Sequence, residues 1–122
     1  MKSTPIIRKI SDVAAGNVDG AEGAEIQVLL GPNDEMPSFY TRIFTLEAGA
    51  RVPKHRHRGI EHEQVVLEGE MVLMLEDKEV TVRAGDVVYL PADQFHGYEN
   101  RVENKARFLC MVPAGDYNTE WL

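Results

Sequence analysis

The sequence predicts an all-β fold, a small barrel or jelly roll, from two observations. Short runs of apolar, β-branched and aromatic residues recur along the 122 residues, and turn-forming Gly, Pro, Asn and Asp residues divide them. No long segment repeats its apolar residues at the 3.6-residue period of an amphipathic helix. Short strands at such regular spacing favour a barrel or jelly roll over a doubly wound α/β sheet.

The strands are assigned in chain order from these runs. We predict them at residues 6–10, 25–30, 39–46, 63–67, 71–76, 79–83, 87–90 and 107–112. The small and polar segment 14–23 predicts a loop, and 47–50 predicts a turn. Residues 68–70, Glu-Gly-Glu, predict a hairpin turn between the strands on either side. Pro91 ends the strand before it because proline has no N–H to donate to a β-ladder.

Length and composition predict one domain with a core of useful size. We divide it into N-terminal strands and loop (1–37), a barrel (38–113) and a C-terminal tail (114–122). No apolar run approaches the roughly 18 residues of a membrane helix, and the N-terminus lacks the pattern of a signal peptide. The single cysteine excludes an intrachain disulfide and fits a reducing cytoplasm.

All four histidines fall into two short motifs, which predict one metal site. The motifs are Gly49-x5-His55-x-His57-x4-His62-x6-Gly69 and Gly85-x5-Pro91-x-Asp93-x2-His96-x3-Asn100. Because side chains alternate along an extended chain, His55 and His57 share one face. Imidazole is the commonest metal-ligating side chain, and four of them suit manganese, iron, nickel, copper or zinc. A scatter of surface histidines would not give this pattern.

These motifs resemble the paired motifs of the cupin superfamily, G-x5-H-x-H-x3,4-E-x6-G and G-x5-P-x-G-x2-H-x3-N. The resemblance runs from about residue 39 to residue 112 and implies a cupin-type double-stranded β-helix. Two positions depart from the pattern. Asp93 stands where the second motif has glycine, and His62 stands where most cupins have a glutamate ligand.

Glu61 and His62 compete for the third ligand position. Glu61 satisfies a three-residue spacer after His57, whereas His62 satisfies both a four-residue spacer and the six-residue run to Gly69. Neighbouring side chains point to opposite faces of a strand, so only one reaches the metal without a bulge. We choose His62. The chain then resembles small single-domain cupins that hold manganese with four histidines, which implies Mn(II), next Fe(II), with nickel, copper and zinc still open.

Alternation along the strands gives candidates for the pocket wall. If His62 faces inward, Gln64 does too, and if His96 faces inward, Tyr98 does too. On the last strand, either the even-numbered residues 108–112 face inward or residues 109 and 111 do, and the charge of Arg107 favours the even set. The resemblance implies the same set and adds Arg42. The candidates are therefore Arg42, Tyr98, Phe108, Cys110 and Val112.

Several of these residues have plainer interpretations. Arg42 would also suit the outer surface of an antiparallel strand, and Cys110 would suit an inert core. Tyr98 and Phe108 are expected as hydrophobic walls. Glu61 and Glu63 are either acceptors behind the ligands or solvated side chains, and the sequence does not choose between them.

The histidine assignment limits the chemistry to the metal. It leaves no histidine for a catalytic triad or to activate Cys110, and no phosphate-binding glycine loop is present. The first hypothesis, implied by the resemblance to quercetinase-like cupins, is a dioxygenase-type oxidoreductase acting on a small aromatic or enol-type molecule. The alternatives are a metal-dependent isomerase or lyase, which lacks an evident general base, and a non-enzymatic cupin that binds a small ligand.

Charge and sheet edges restrict the partners. The formal net charge is −7, whereas a nucleic-acid partner requires a basic face. The basic residues between 51 and 58 interleave with the histidines and are expected to form a solvated strand edge. A short barrel must cover its edges, and small cupins commonly do so by pairing. We therefore expect a homodimer in which segment 6–10 crosses to a second copy, with no nucleic-acid or membrane partner.

Overall fold

The computed structural model describes residues 4–122, and almost all of its regular structure is β-strand. The strands are β1 (Gly16–Asn17), β2 (Glu22–Leu30), β3 (Phe39–His57), β4 (His62–Glu68), β5 (Glu70–Leu75), β6 (Glu79–Arg83), β7 (Val87–Leu90), β8 (His96–Glu99), β9 (Ala106–Pro113) and β10 (Thr119–Trp121). Two single turns of 3-10 helix lie at Ile10–Asp12 and Pro32–Asp34. Within 4–122 no helix has the length and apolar character needed to cross a bilayer. The predicted all-β class is confirmed.

The long strand β3 organises the sheet. All pairings are antiparallel, and the main path runs β6-β5-β8-β3-β9-β4-β7, with β2 and β10 also on β3 and β1 on β2. Residues 39–46 of β3 pair with β9, whereas residues 51–57 pair with β8 and β10. Gly49, at φ 78°, lies between the two halves. One continuous strand therefore belongs to both halves of the curled sheet, and the turn predicted at 47–50 is instead a bend within it.

The core fills the interior of this curled sheet. Ile43, Leu46, Val66, Met71 and Phe108 are among its fully buried side chains. Burial alternates residue by residue along β9, where the even-numbered residues 106–112 are buried and the odd-numbered ones are half-buried. This is the face that the charge at position 107 favours, because a guanidinium is costly to bury without a partner.

The first predicted strand, residues 6–10, is wrong for the described chain. These residues form no β-ladder, and Ile10 begins a 3-10 turn. Side chains replace the missing ladder, because Arg8 Nη1 donates to the Leu29 carbonyl (3.0 Å) and Gln27 Nε2 donates to the Ile10 carbonyl (3.1 Å). Ile7 is 94% exposed. The segment therefore lies along the outside of β2 as an unpaired extended stretch.

The predicted hairpin at 68–70 is also wrong, although the turn itself is present. Strand β4 pairs with β7 and β9, whereas β5 pairs with β6 and β8. Gly69 has φ 73°, and a Cβ there would lie within 2.4 Å of the Lys105 carbonyl oxygen. The turn thus passes the chain from one half of the barrel to the other at a close crossing. The predicted loop 14–23 likewise contains β1 and the start of β2, and β8 and β10 were not predicted as strands.

Candidate functional site

One cavity of about 440 Å³ is lined by all four histidines. His55 and His57 come from the second half of β3, His62 begins β4, and His96 begins β8. Their ring centroids form a circuit, with separations of 4.5 Å (55–96), 4.7 Å (62–96), 5.7 Å (57–62) and 5.4 Å (55–57). The fold therefore gathers residues from two motifs, which are distant in sequence, into one group of rings.

The spacing of these rings fits a bound metal ion. An imidazole that binds at about 2.1 Å has its centroid about 3.2 Å from the ion, so ligands at roughly 90° to each other have centroids about 4.5 Å apart. The observed separations start at that value and widen to 5.7 Å. Among residues 4–122, no three His, Cys, Asp or Glu side chains already have donor atoms converged in coordination geometry. Closing a sphere around an ion thus requires the rings to move from the positions that they have here.

Backbone carbonyls fix the tautomers of two of the four rings. His55 Nδ1 lies 2.8 Å from the Pro53 carbonyl oxygen, and His96 Nδ1 lies 2.9 Å from that of Gln94. Because a carbonyl only accepts, both Nδ1 atoms carry the proton and both Nε2 atoms keep a free lone pair. Outer hydrogen bonds of this kind orient histidine ligands in metal sites. His62 Nδ1 is buried and has no hydrogen-bond partner among the described residues, which is a costly state for an isolated polar atom.

Burial keeps the four rings neutral. Desolvation, with a smaller contribution from the neighbouring rings, lowers the pKa of His57 to about 4, that of His62 to about 2 and that of His96 to about 3. Desolvation also lowers the pKa of His55, against the hydrogen bond to Pro53. Neutral imidazole is the form that binds metals. At neutral pH the cavity therefore presents four uncharged nitrogen donors.

His62, and not Glu61, lies beside the other three rings. Burial alternates along the start of β4, so His62 is 4% exposed and Glu61 and Glu63 are exposed. Glu61 accepts a hydrogen bond from Tyr89 Oη (2.7 Å), and both glutamates line a separate outer groove. The two glutamates therefore lie outside the histidine cavity, and neither touches the rings from behind.

Four of the five remaining candidates line the cavity: Arg42, Tyr98, Phe108 and Cys110. The prediction for Val112 needs correction, because this side chain is buried in the core and does not contribute to the cavity wall. In the β3–β9 register Arg42 pairs with Cys110, whereas Val112 pairs with Tyr40 one step further out. The cavity ends at the level of Cys110.

A polar cluster lies beside the histidines in the same cavity, with the Tyr117 ring 4.9 Å from His57 and the Tyr98 ring 5.8 Å from His96. Arg42 donates from Nη2 to Cys110 Sγ (3.3 Å) and from Nη1 to Tyr117 Oη (3.5 Å). Gln64 Nε2 donates to Tyr98 Oη (2.6 Å) and to Cys110 Sγ (3.5 Å). Burial raises the pKa of both Tyr98 and Tyr117. Both phenols therefore stay protonated at neutral pH and act as hydrogen-bond donors rather than bases.

The C-terminal segment closes the histidine side of the cavity, which the sequence did not predict. Strand β10 pairs with β3 so that Trp121 is opposite His55, with ring centroids 5.3 Å apart. Glu120 bridges to Arg56 (3.0 Å) and Arg58 (2.9 Å) and fixes the strand. The tyrosine at 117 lies 4.9 Å from the ring at 57. The available signal was an aromatic pair, Tyr and Trp, in a segment that is otherwise polar.

The comparison with protein families decides the classification. The cupin domain model matches residues 42–112, more than half of the chain. The chain belongs to the cupin family. The match begins at Arg42 and ends just after Cys110, so it contains all four histidines and both motifs. The predicted double-stranded β-helix fold is thereby confirmed.

Known relatives differ widely in activity. An oxalate-binding protein of Thermotoga maritima is 27% identical over 107 residues, which are 85% of this chain and 88% of the relative. The structure of the polyketide cyclase RemF from Streptomyces resistomycificus superposes with a TM-score of 0.91 at 27% identity, covering 98% of this chain and 86% of RemF. A sugar phosphate isomerase from Silicibacter pomeroyi, at 22% identity and TM-score 0.79 over 93% of this chain and 80% of its own, shares the fold.

Proposed function

We propose that this cupin is a metal-dependent enzyme acting on a small, oxygen-rich molecule of carbonyl or enol type. His55, His57, His62 and His96 hold the metal, with manganese(II) first and iron(II) next. The observation that supports this is the circuit of four neutral imidazole rings at one end of a cavity of about 440 Å³. These four nitrogen donors would hold the ion, and the bound ion would supply Lewis-acid chemistry to a ligand in the cavity.

The polar wall of the cavity favours a substrate that develops negative charge on oxygen. A divalent ion polarises a carbonyl group that binds to it. Arg42 and the protonated phenols of Tyr98 and Tyr117 supply hydrogen-bond donors close to the histidine rings. Of the described lining residues only Asp19 carries a carboxylate. Fixed donors of this kind stabilise a developing oxyanion without reorganising during the reaction.

We place non-oxidative ring closure or isomerisation first among the reaction classes. The support is the likeness to RemF, a polyketide cyclase, at 27% identity over nearly the whole chain. The stacked rings of Phe44 and Phe108, with centroids 5.1 Å apart, give such a flat, partly aromatic substrate an apolar surface. The wall positions the substrate and the donors hold its oxygens, which brings the reacting carbons together.

The second candidate is a dioxygenase-type oxidoreductase for a small aromatic or enol-type molecule. It is favoured by the donor set itself, because four imidazoles suit redox-active manganese and iron.

One experiment separates these candidates. Protein loaded with manganese or iron is incubated with a linear poly-β-ketone, a 1,3-diketone and a flavonol, under nitrogen and under air, and oxygen uptake and product masses are measured. A product that is isomeric or has lost water, formed equally under nitrogen, supports ring closure. A product that gains both atoms of dioxygen, with matching uptake, supports the dioxygenase. Binding without turnover under either gas overturns the enzyme proposal and leaves a ligand-binding cupin.

The matched variants are His62→Ala and Glu61→Ala. They are neighbours in sequence, but one lies in the ring circuit and the other on the outer surface. The His62 variant should lose turnover and metal together. The Glu61 variant should keep both, which excludes a general effect of altering the start of β4.

A further inference from the structure

The guanidinium of Arg42 is a cation that has no carboxylate partner among residues 4–122. The chain has eight arginines, and seven of them, at positions 8, 51, 56, 58, 83, 101 and 107, lie within salt-bridge distance of Asp or Glu. Arg42 is the exception among the described residues. Its Nε atom is enclosed and has no hydrogen-bond partner in that part of the chain. Burying a charge is costly unless a counter-charge accompanies it.

The surroundings of Arg42 hold it toward the cavity. Its central carbon lies 5.3 Å from the centroid of the Phe44 ring, which is a cation–π contact. Its two terminal nitrogens contact Cys110 Sγ and Tyr117 Oη, and neither of these acceptor atoms belongs to a carboxylate. The guanidinium is thus fixed in place by weak acceptors, while its planar fork has the geometry that recognises a carboxylate.

We infer that Arg42 is the anchor for an anionic oxygen of the ligand, so that the substrate is a small organic acid or acidic enol with a flat apolar body. Its carboxylate or enolate meets Arg42 and Tyr117, its body lies on the Phe44–Phe108 stack, and its other oxygens face the histidines. This names the substrate class of the site proposed above and rests on that function. The anchor itself, however, is testable without the metal.

The test uses benzoate and benzamide, which have the same shape but differ in charge. Binding to the full chain is measured by titration calorimetry and by the fluorescence of Trp121, the single tryptophan, which lines the cavity. We expect benzoate to bind at least about tenfold more tightly than benzamide, as a charge-assisted pair requires. Equal affinities, or binding of neither probe at millimolar concentration, would overturn the inference.

Variants assign the preference to this arginine. Arg42→Met should abolish the benzoate preference, and Arg42→Lys should keep part of it because the charge remains without the fork. Arg51→Met is the matched control: it lies on the same strand β3, pairs with Glu99 outside the cavity and should bind like the wild type. A preference that survives Arg42→Met in a folded protein contradicts the inference.

Two further measurements separate this inference from its alternatives. The titrations are run on the protein as purified and after chelation. If the protein prefers benzoate in both states but binds neither manganese nor iron, then Arg42 is the anchor and the proposed metal-dependent function is wrong. If Cys110 were instead the counter-ion as a thiolate, the wild type would absorb near 240 nm more strongly than Cys110→Ser at neutral pH. That result would overturn the inference, and equal absorbance supports it.

Discussion

Replacing Phe108 with alanine should distinguish the role of the cavity wall from that of the proposed metal site. Phe108 is 1% exposed, and its ring lies 5.1 Å from that of Phe44 and 4.8 Å from that of Tyr98. It contacts none of the four histidine rings through a ring pair. The substitution therefore enlarges the aromatic wall and leaves the proposed metal donors untouched.

The size of the effect follows from where Phe108 lies. A buried Phe→Ala change costs about 3–5 kcal/mol, and part of that cost comes from the empty space left behind. Phe108 lines an existing cavity of about 440 Å³, so solvent can enter the new space and the cost should fall near the lower limit, about 3 kcal/mol. For a domain of this length that corresponds to a fall in Tm of about 12 °C.

The assay combines thermal unfolding, metal analysis and a substrate panel. Phe39→Ala is the matched control, because Phe39 begins the same β3–β9 pairing but is 59% exposed; its Tm should change by less than about 3 °C. We expect Phe108→Ala to bind metal like the wild type and to accept bulkier ligands. Loss of metal in a folded Phe108→Ala protein, or a Tm equal to that of the control, would refute this reasoning.

Three other predictions concern the metal, the β3–β8 contact and the assembly. His62→Ala should weaken manganese binding at least about tenfold in calorimetry, and chelation should lower the Tm of the wild type but not of this variant, because the ion links three strands; an unchanged affinity contradicts the ligand assignment. Gly97→Ala should cost about 1–3 kcal/mol in urea unfolding, since a Cβ there lies 2.5 Å from the Val52 carbonyl oxygen, whereas Gly16→Ala, with open space around it, should be neutral. Light scattering should give the mass of a homodimer, and a monomer mass at every concentration would remove that proposal.

The features that depend only on neighbouring residues were predicted correctly from the sequence. Strands β6 and β7 have the predicted bounds, because an alternating run between two turns leaves little choice of register. The histidines were found through spacing, since a two-residue step puts His55 and His57 on one face of whatever strand contains them. Glu61 and His62 were separated by the same alternation.

Local sequence patterns could not predict which strands pair with each other. The residues of β4 and β5 look like a hairpin because a glycine turn joins them, but each pairs with strands that are distant in sequence. The sequence of residues 68–70 does not predict that Gly69 lies close to the Lys105 carbonyl oxygen. In the same way, β10 is only three residues long, and it forms because Glu120 meets Arg56 near the end of β3 and Arg58 in the turn that follows. Residues 6–10 have a strand-like composition and still lack a ladder in this chain.

Asp93, one of the two positions that depart from the cupin motifs, shows how the two motifs are held together. Asp93 stands where the motif has glycine and adopts φ 71°, a conformation that aspartate tolerates better than most residues. Its Oδ1 accepts the Gly59 backbone N–H (2.8 Å), and its carbonyl accepts from Arg56 Nη1 (3.4 Å). A glycine would keep the backbone angle but lose the first of these bonds. The carboxylate thus ties the turn before His96 to the turn before His62, and the residue that breaks the motif connects the two segments that deliver these rings to the cavity.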